Sequence, residues 1–182
     1  MLSTGPSIKS VVIRFTVHNI EKLKIALSNF ETKKCINFFV WKCAGYSYNI
    51  FTSSGSVNST GIKDFADIKK AVQVFRDKFN FQNEDDLTTP IVDNTTFSGS
   101  FGKEINVSSL LQKLPVCVSS GVSARFTPQF FPCLTYKTPE TTCLIFANGK
   151  YSIVGGKTLE HAEKIYDVIR SALSNCDNVQ SL

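Results

Sequence analysis

The feature of this sequence that most constrains its fold is an internal repeat that spans about half of its length. Identical residues recur in the same order, first 95 and then 94 residues apart, and one additional residue within segment 52–54 accounts for the change. A period this long predicts two similar lobes and not a stacked array of short repeats. The repeated pairs are Lys42 and Lys137, Phe51 and Phe146, Gly55 and Gly149, Gly61 and Gly155, Lys70 and Lys164, Val74 and Val168, and Arg76 and Arg170.

The clearest part of the repeat is a predicted β-hairpin in the second half. Two runs rich in aromatic and β-branched residues, 129–137 and 142–150, flank a turn that contains Pro139. A third run at 151–154 follows an Asn-Gly turn, and a helix capped by Thr158 comes next. One continuous segment therefore supplies three strands and a helix.

The first half repeats this order of elements. Its strands are predicted at 35–41, 46–52 and 56–60, and Asp64 is expected to cap a helix at 65–79.

Each lobe opens with a strand and a short helix. The strict alternation of apolar residues over 10–18 predicts a strand with one buried face, and Asn19 is expected to cap a helix at 20–30. The second lobe begins near Thr95 and has its short helix around 109–114. This order predicts an α+β fold in which the helices gather on one face of an antiparallel sheet and leave the other face uncovered.

The predicted domain organisation follows from the same pattern. It comprises a flexible N-terminal arm at 1–9, a first lobe at 10–80, an acidic connector at 81–94, a second lobe at 95–175 and a C-terminal tail at 176–182.

Composition and missing motifs exclude several classes of function. Hydrophobic residues make up 42% and charged residues 19%, as in soluble globular proteins, and a net charge of +5 weakly favours an acidic partner. The sequence has no apolar run of membrane-spanning length and no export signal, so we expect free thiols and no membrane association. It also lacks the phosphate-binding loop, the HExxH motif and the nucleophile elbow, so we expect no enzymatic activity, cofactor or metal.

Two series of residues form a distinctive pattern. They are Phe131-Pro132, Leu134, Tyr136-Lys137, Leu144-Ile145-Phe146, Gly149-Lys150, Gly155 and Lys157 in the second repeat, and Phe51, Gly55, Thr60-Gly61 and Lys63 in the first. Both series resemble the TATA-binding protein family. The resemblance covers roughly residues 8–175 and is strongest over 128–157. It implies one continuous saddle-shaped antiparallel sheet built from two pseudo-symmetric repeats, with helices on the convex face and the DNA minor groove against the concave face.

The resemblance implies that apolar side chains act as wedges. Members of this family insert two phenylalanines per repeat between base steps, which kinks the duplex. In the second repeat these positions fall on Phe131 and Phe146. In the first repeat they fall on Phe51 and Ile36, although a shifted register would use Phe38 instead.

The resemblance also implies a groove floor and a set of phosphate contacts. The family carries an asparagine on the first strand of each repeat; here the positions fall on Ser10 and Thr96, with Asn94 as the alternative to Thr96, and loss of both amides would weaken a strict TATA preference. The predicted floor residues are Ser10, Val12, Thr16, Thr60, Thr96, Leu144 and Val154. The predicted phosphate contacts are Lys42, Lys63, Lys137, Lys150 and Lys157, together with Arg14, a charge that the family does not usually place there.

The function that the resemblance implies is transcription initiation at A·T-rich promoter DNA, in the nucleus or in the cytoplasmic factory of a large DNA virus. Implied partners are proteins like transcription factors IIB and IIA and, indirectly, RNA polymerase. Thr127 and Gln129 replace glutamates with which the family contacts transcription factor IIB. The alternative is an interaction module of the same fold that has lost TATA-specific bending and binds protein or an RNA–DNA hybrid.

Overall fold

A computed structural model describes residues 3–29 and 33–177 of the chain. Within these residues, ten strands alternate with four α-helices and three short 3₁₀ turns. The strands are β1 (Thr4–Thr16), β2 (Lys33–Lys34), β3 (Phe39–Cys43), β4 (Tyr46–Phe51), β5 (Ser56–Ile62), β6 (Ile91–Ser100), β7 (Ser123–Thr127), β8 (Phe131–Lys137), β9 (Thr142–Phe146) and β10 (Lys150–Val154). The helices are α1 (Ile20–Ser28), α2 (Ile68–Phe79), α3 (Val107–Lys113) and α4 (Leu159–Asp177).

The predicted α+β fold is confirmed. The strands form one antiparallel sheet in the order β2-β3-β4-β5-β1-β6-β10-β9-β8-β7. The chain divides into two compact units: the first unit is Ser10–Asn94, and the second unit comprises residues 3–9 together with residues 95–177. Strands β1 and β6 each contribute residues to both units.

Residues 4–9 are strand and not the predicted flexible arm. The amide of Ser100 donates to Thr4 Oγ1 (3.0 Å), the Ser7 hydroxyl donates to the Ser98 carbonyl (3.0 Å), and Tyr151 Oη donates to the Thr4 carbonyl (3.0 Å). These side-chain bonds lie beyond the reach of local sequence patterns and attach the segment to the second unit.

The predicted connector 81–94 is also partly regular structure. A 3₁₀ turn at Glu84–Asp86 begins with a capping box from Asn83 and Asp86, and β6 starts at Ile91. The connector, up to Asn94, belongs to the first unit. The rest of β6, from Thr95 onward, belongs to the second unit.

The helices of the first unit pack on one sheet face through aromatic side chains. The Phe75 ring of α2 lies 5.1 Å from that of Phe15 on β1, and Phe79 lies 5.1 Å from Trp41 on β3. The buried Tyr48 hydroxyl donates to the Ala71 carbonyl at 2.7 Å. Because aromatic residues bury large areas, this cluster is the main hydrophobic core of the unit.

The second unit repeats this packing with different residues. Tyr166 of α4 stacks on Phe101 and contacts Tyr151 of β10, with both centroid distances at 5.4 Å. Tyr136 of β8 is buried, and its hydroxyl donates to the Pro115 carbonyl after α3. α3 and α4 therefore cover one face of these strands.

Local capping signals located the helix starts well. Asn19 Oδ1 accepts the Lys22 amide (2.9 Å), and Asp64 Oδ1 accepts the Ala66 amide (2.9 Å), although Asp64 caps a 3₁₀ turn that leads into α2. The helix predicted at 109–114 begins earlier, at Val107, because Asn106 caps it. Phe30, expected at the end of α1, lies outside the described residues.

The regions of β3 and β7 differ from what the sequence predicted. The strand expected at 35–41 begins only at Phe39, because residues 35–38 form a turn closed by the Cys35 amide and the Phe38 carbonyl (2.8 Å). Strand β7 was not predicted, since Ser123–Thr127 contains one large apolar residue, Phe126. The six cysteines are free thiols, and no helix among the described residues has both the length and the apolar character needed to cross a bilayer.

Candidate nucleic-acid interface

Each unit has a sheet face that points away from its helices, which we call its open face. Along β1, Val11, Ile13 and Phe15 are buried beneath the helices, whereas the residues between them are half-buried or exposed. Strand pairing carries this alternation across the unit. The open face of the first unit contains Ser10, Val12, Arg14, Thr16, Val40, Lys42, Ser47, Asn49, Phe51, Ser56, Asn58 and Thr60.

The open face of the second unit follows from the same alternation. Leu144 and Val154 are half-buried there, next to Cys143 and Ile153, which are buried on the helix side. Its residues are Thr96, Ser98, Ser100, Arg125, Cys133, Thr135, Lys137, Thr142, Leu144, Phe146, Lys150, Ser152 and Val154. All predicted groove-floor residues therefore lie on an open face.

The predicted wedges of the second unit lie at one end of its open face. Phe131 opens β8 with 46% of its surface exposed, and Phe146 is half-buried at the end of β9. Cys133 pairs directly with Phe146 and is only 2% exposed. Burial raises the pKa of the Cys133 thiol, so this side chain stays neutral and acts as an apolar surface beside Phe146.

In the first unit the structure brings Phe51 together with Phe38. Their ring centroids lie 5.3 Å apart, and Phe38 occupies the position 95 residues before Cys133. Ile36, the positional counterpart of Phe131, lies in the bend before β3 and is 98% exposed. Phe38 thus joins Phe51 and Ile36 as an apolar residue at this end of the open face.

The middle of the first open face is polar, which sequence analysis missed. Asn49 of β4 pairs with Asn58 of β5, and Asn58 pairs with Arg14 of β1. We call these three residues the amide row. Asn58 Oδ1 is buried without a hydrogen-bond partner, a situation that costs about 1–3 kcal/mol.

The same row in the second unit has a different chemistry. Leu144 aligns with Asn49 at the repeat spacing of 95, and Ser152 aligns with Asn58 at the spacing of 94. Leu144 pairs with Ser152, and Ser152 pairs with Ser98 of β6. The repeat spacing was the signal that could have revealed this difference, because it places Asn49 opposite a leucine in the other half.

Arg14 is engaged by a carboxylate within the first unit. Its Nε lies 3.0 Å from Asp93 Oδ2 and its Nη2 lies 3.2 Å from Asp93 Oδ1. The arrangement is the two-point geometry that planar guanidinium and carboxylate groups favour. Arg14 lies on the open face as expected, but two of its N–H groups already have an anionic partner.

Strand register also decides which residue is the counterpart of Ser10. Arg14 pairs with Asn58, and Ser98 pairs with Ser152, so β1 and β6 align with an offset of 84 residues. Ser10 therefore corresponds to Asn94, and Thr96 corresponds to Val12. The alternative Asn94 is the better match, and Thr96 remains an ordinary residue of the second open face.

The five predicted phosphate-contacting lysines are exposed, and four of them form two equivalent pairs, Lys42 with Lys137 and Lys63 with Lys157, whereas Ser56 takes the place of Lys150 in the first unit. Lys42 pairs with Ser47, and Lys137 pairs with Thr142, at the same point of the repeat. Lys150 opens β10 opposite Ser100. Lys63 and Lys157 follow β5 and β10 and are also exposed.

Two exposed residues near the sheet edge of the second unit were missed by sequence analysis. Arg125 of β7 pairs with Thr135, which places another cation on the second open face. Phe130 lies in the turn before β8 and is 89% exposed. Both belong to the β7–β8 hairpin, which was not recognised in the sequence.

Comparisons with known proteins agree with this geometry. A family model described as "Transcription factor TFIID (or TATA-binding protein, TBP)" matches residues 89–176. A TATA-box-binding protein of Haloarcula marismortui is 30% identical over 128 residues, which make up 67% of this chain and 65% of the relative. One of Pyrococcus abyssi is 32% identical over 110 residues, covering 58% of this chain and 54% of the relative. The matches therefore span less than two thirds of the length of these relatives.

The fold similarity extends over almost the whole chain. The structure of Methanococcus jannaschii TBP matches with a TM-score of 0.75 and 21% identity, covering 95% of this chain and 99% of that chain. In fold, internal repeat and sequence, the chain resembles the TATA-binding protein family.

Proposed function

We propose that this chain is a transcription initiation factor that binds A·T-rich promoter DNA in the minor groove and bends it. The observation that carries the proposal is the pair of open faces, each with partly exposed apolar side chains at one end: Phe51 with Phe38 in the first unit, and Phe131 with Phe146 in the second. Relatives that are similar in sequence are named TATA-box-binding proteins.

The chemistry of these faces suits a minor groove. A·T and T·A pairs present nearly the same edge there, so a protein gains from apolar contact and from the deformability of the DNA. Half-buried Val12, Leu144 and Val154 supply such contact without demanding hydrogen bonds. Exposed lysines at matching positions, such as Lys42 and Lys137, supply phosphate contacts in both units.

The wedge assignment is tested by a bending measurement. A short A·T-rich duplex carries a donor and an acceptor dye at its ends, and energy transfer reports the bend. We expect wild type to raise the transfer and Phe131→Ala/Phe146→Ala to lose most of this rise, because insertion of apolar side chains compensates for the unstacking of base steps.

A matched control separates wedging from general loss of apolar surface. Ile25→Ala removes an apolar side chain that is 64% exposed on α1, and bending should survive this change. Undiminished bending by the double phenylalanine variant would refute the wedge role. A duplex with I·C in place of A·T keeps the minor-groove edge and changes the major-groove edge, so equal affinity for both is expected of a minor-groove binder.

One observation favours the second candidate, an interaction module of the same fold. The Asp93 carboxylate neutralises Arg14, which weakens the attraction of the first open face for any phosphate backbone and so favours the protein-binding form of this candidate. Binding to an RNA–DNA hybrid with no binding to the corresponding DNA duplex would support this candidate and reject the first.

We also propose that the helical side, together with the turn between β7 and β8 at the sheet edge, recruits initiation partners like transcription factors IIB and IIA. In the turn at 127–130, neutral Thr127 and Gln129 lie beside the highly exposed Phe130. An apolar contact at Phe130 would replace ionic recognition there. The factor would act where promoter DNA lies, in a nucleus or in a viral factory.

A further inference from the structure

The two open faces differ most in chemistry at their middle rows. The amide row of the first unit presents Asn49, Asn58 and Arg14, whereas the same row of the second unit presents Leu144, Ser152 and Ser98. If both faces meet the minor groove, the two halves of the bound site face different chemistries. The two repeats therefore share strand pairing, but their middle rows present different hydrogen-bonding groups to a ligand.

The minor groove offers one feature that an amide can read and a leucine cannot. A·T and T·A pairs display only acceptors there, whereas a G·C pair adds the 2-amino donor of guanine. An asparagine carbonyl oxygen accepts such a donor. Leu144 has no acceptor, so a guanine amino group against it would lose its hydrogen bond to water without replacement.

Asn58 is already short of a donor. Its Oδ1 is buried and has no hydrogen-bond partner, even though it lies between Asn49 and Arg14 in the strand pairing. Buried acceptors in proteins are nearly always paired. The residue as a whole is only half-buried, so rotation of the side chain towards the open face would let a donor on a ligand satisfy this atom.

The ion pair between Arg14 and Asp93 is consistent with Asn58 acting as the acceptor in this row. A guanidinium carries only donors and would compete with a guanine amino group for the same acceptor. Asp93 holds the Nε and Nη2 groups of Arg14 at 3.0 and 3.2 Å. The carboxylate thus keeps the guanidinium occupied and leaves Asn58 to act as the acceptor.

We propose that the amide row accepts a G·C base pair in the minor groove, with Asn58 as the acceptor for the guanine 2-amino group and Asp93 as a positioning residue that restrains Arg14. The first unit then tolerates G·C where the second unit requires A·T. This inference rests on the proposed minor-groove binding and names the sequence class that the first unit selects.

The test uses a series of A·T duplexes that each contain one G·C pair at a different position, and it measures the affinity of the protein for each duplex by fluorescence anisotropy. When the G·C pair is at one particular position, the protein should bind the duplex at least as tightly as the all-A·T duplex. At every other position the G·C pair should weaken binding. Replacing that guanine by inosine removes only the 2-amino group, and binding should weaken by roughly three- to tenfold, the worth of one hydrogen bond. Asn58→Val should abolish the difference between guanine and inosine.

Two further variants keep the test decisive if Asn58→Val fails to fold. Asp93→Asn frees Arg14 and should shift preference at the permissive position towards A·T. Leu144→Asn/Ser152→Asn transplants the amides into the second unit and should create a second permissive position.

The outcomes separate this inference from the proposed function. Tight binding to the all-A·T duplex with guanine and inosine indistinguishable at every position overturns the inference and leaves the proposed function standing. Failure to bind any duplex overturns the proposed function and this inference with it. A guanine preference that persists in Asn58→Val and is unchanged in Asp93→Asn also overturns the assignment.

Discussion

The thiol of Cys117 lies in an environment that favours its reactive thiolate form. It is exposed before a short 3₁₀ turn, and its Sγ lies 3.3 Å from Ser119 Oγ. Hydrogen bonds from Ser119, and after it from Ser120, stabilise the thiolate and lower the pKa of Cys117 to about 7. The thiolate, which is the nucleophile, is therefore half-populated near neutral pH.

We expect the rate of alkylation at Cys117 to reach half of its plateau near pH 7. Because the folded-state pKa is lowered, reactivity rises as pH passes upward through that value. Iodoacetamide labelling followed by peptide mass spectrometry measures the rate. Ser119→Ala should move the half-point upward, and a half-point that does not move in this variant contradicts the assigned cause.

The sequence motif located the apolar residues at one end of the candidate interface but not the amide row in the middle of the first open face. Phe131 and Phe146 were identified because they fall in a continuous motif, and the open face exposes both in part. The amide row was missed because it exists only once β4, β5 and β1 are in register. That register contains an irregularity between Val11 and Ile13, which no local pattern reveals.

The amino-terminal part of β1 is held against β6 and Tyr151 by side-chain hydrogen bonds. Gly99 of β6 lies against the Tyr151 hydroxyl that bonds to the Thr4 carbonyl. A Cβ at Gly99 would overlap that hydroxyl and lie 2.7 Å from the Thr4 carbonyl oxygen. Gly5 of the same attached segment has no atom within 4 Å of its own added Cβ.

These two glycines give a matched pair of substitutions. Gly99→Ala should lower the free energy of unfolding by about 1–3 kcal/mol, because the overpacked side chain must displace Tyr151 or Thr4. Gly5→Ala should change it by less than about 0.5 kcal/mol. Urea denaturation measures both values.

Hydrogen exchange locates the effect. Amides of residues 4–9 should exchange faster in Gly99→Ala than in wild type, because the segment loses its bonds to Ser98 and Ser100. Equal protection in the two proteins would show that the segment is held by something other than these contacts.

Elements with strong local signals were predictable, and those held by distant partners were not. Asn19 and Asp64 marked helix starts through side-chain capping, which acts within three residues. Strand β7 and residues 4–9 lack strong alternation and are strands because β8 and β6 present hydrogen-bonding edges to them. Sequence periodicity cannot report an edge that forms elsewhere in the chain.

For the whole molecule, charge predicts how DNA affinity depends on salt. Each neutralised phosphate contributes a slope of about −0.9 to a plot of log affinity against log salt concentration. If the five predicted lysines each contact one phosphate, the slope should be about −4 to −5. Anisotropy titrations over a range of salt concentrations give this value.

Charge-changing variants assign the slope to particular groups. Lys42→Gln/Lys137→Gln should reduce its magnitude by about 2. Arg14→Gln/Asp93→Asn removes an ion pair without changing net charge and should leave the slope unchanged. Lys113→Gln, at the end of α3, is the control on the helical side. A large fall in slope from the Arg14 and Asp93 variant would mean that Arg14 leaves its partner to contact phosphate.

Because β1 belongs to both units, its two parts can pair only at different times during synthesis. Residues 10–16 find partners in β5, which is made soon afterwards. Residues 3–9 must wait until β6 and Tyr151 have left the ribosome, about 90 to 145 residues later. During that interval residues 3–9 are an unpaired extended segment, so a chaperone that holds extended segments would find its substrate there.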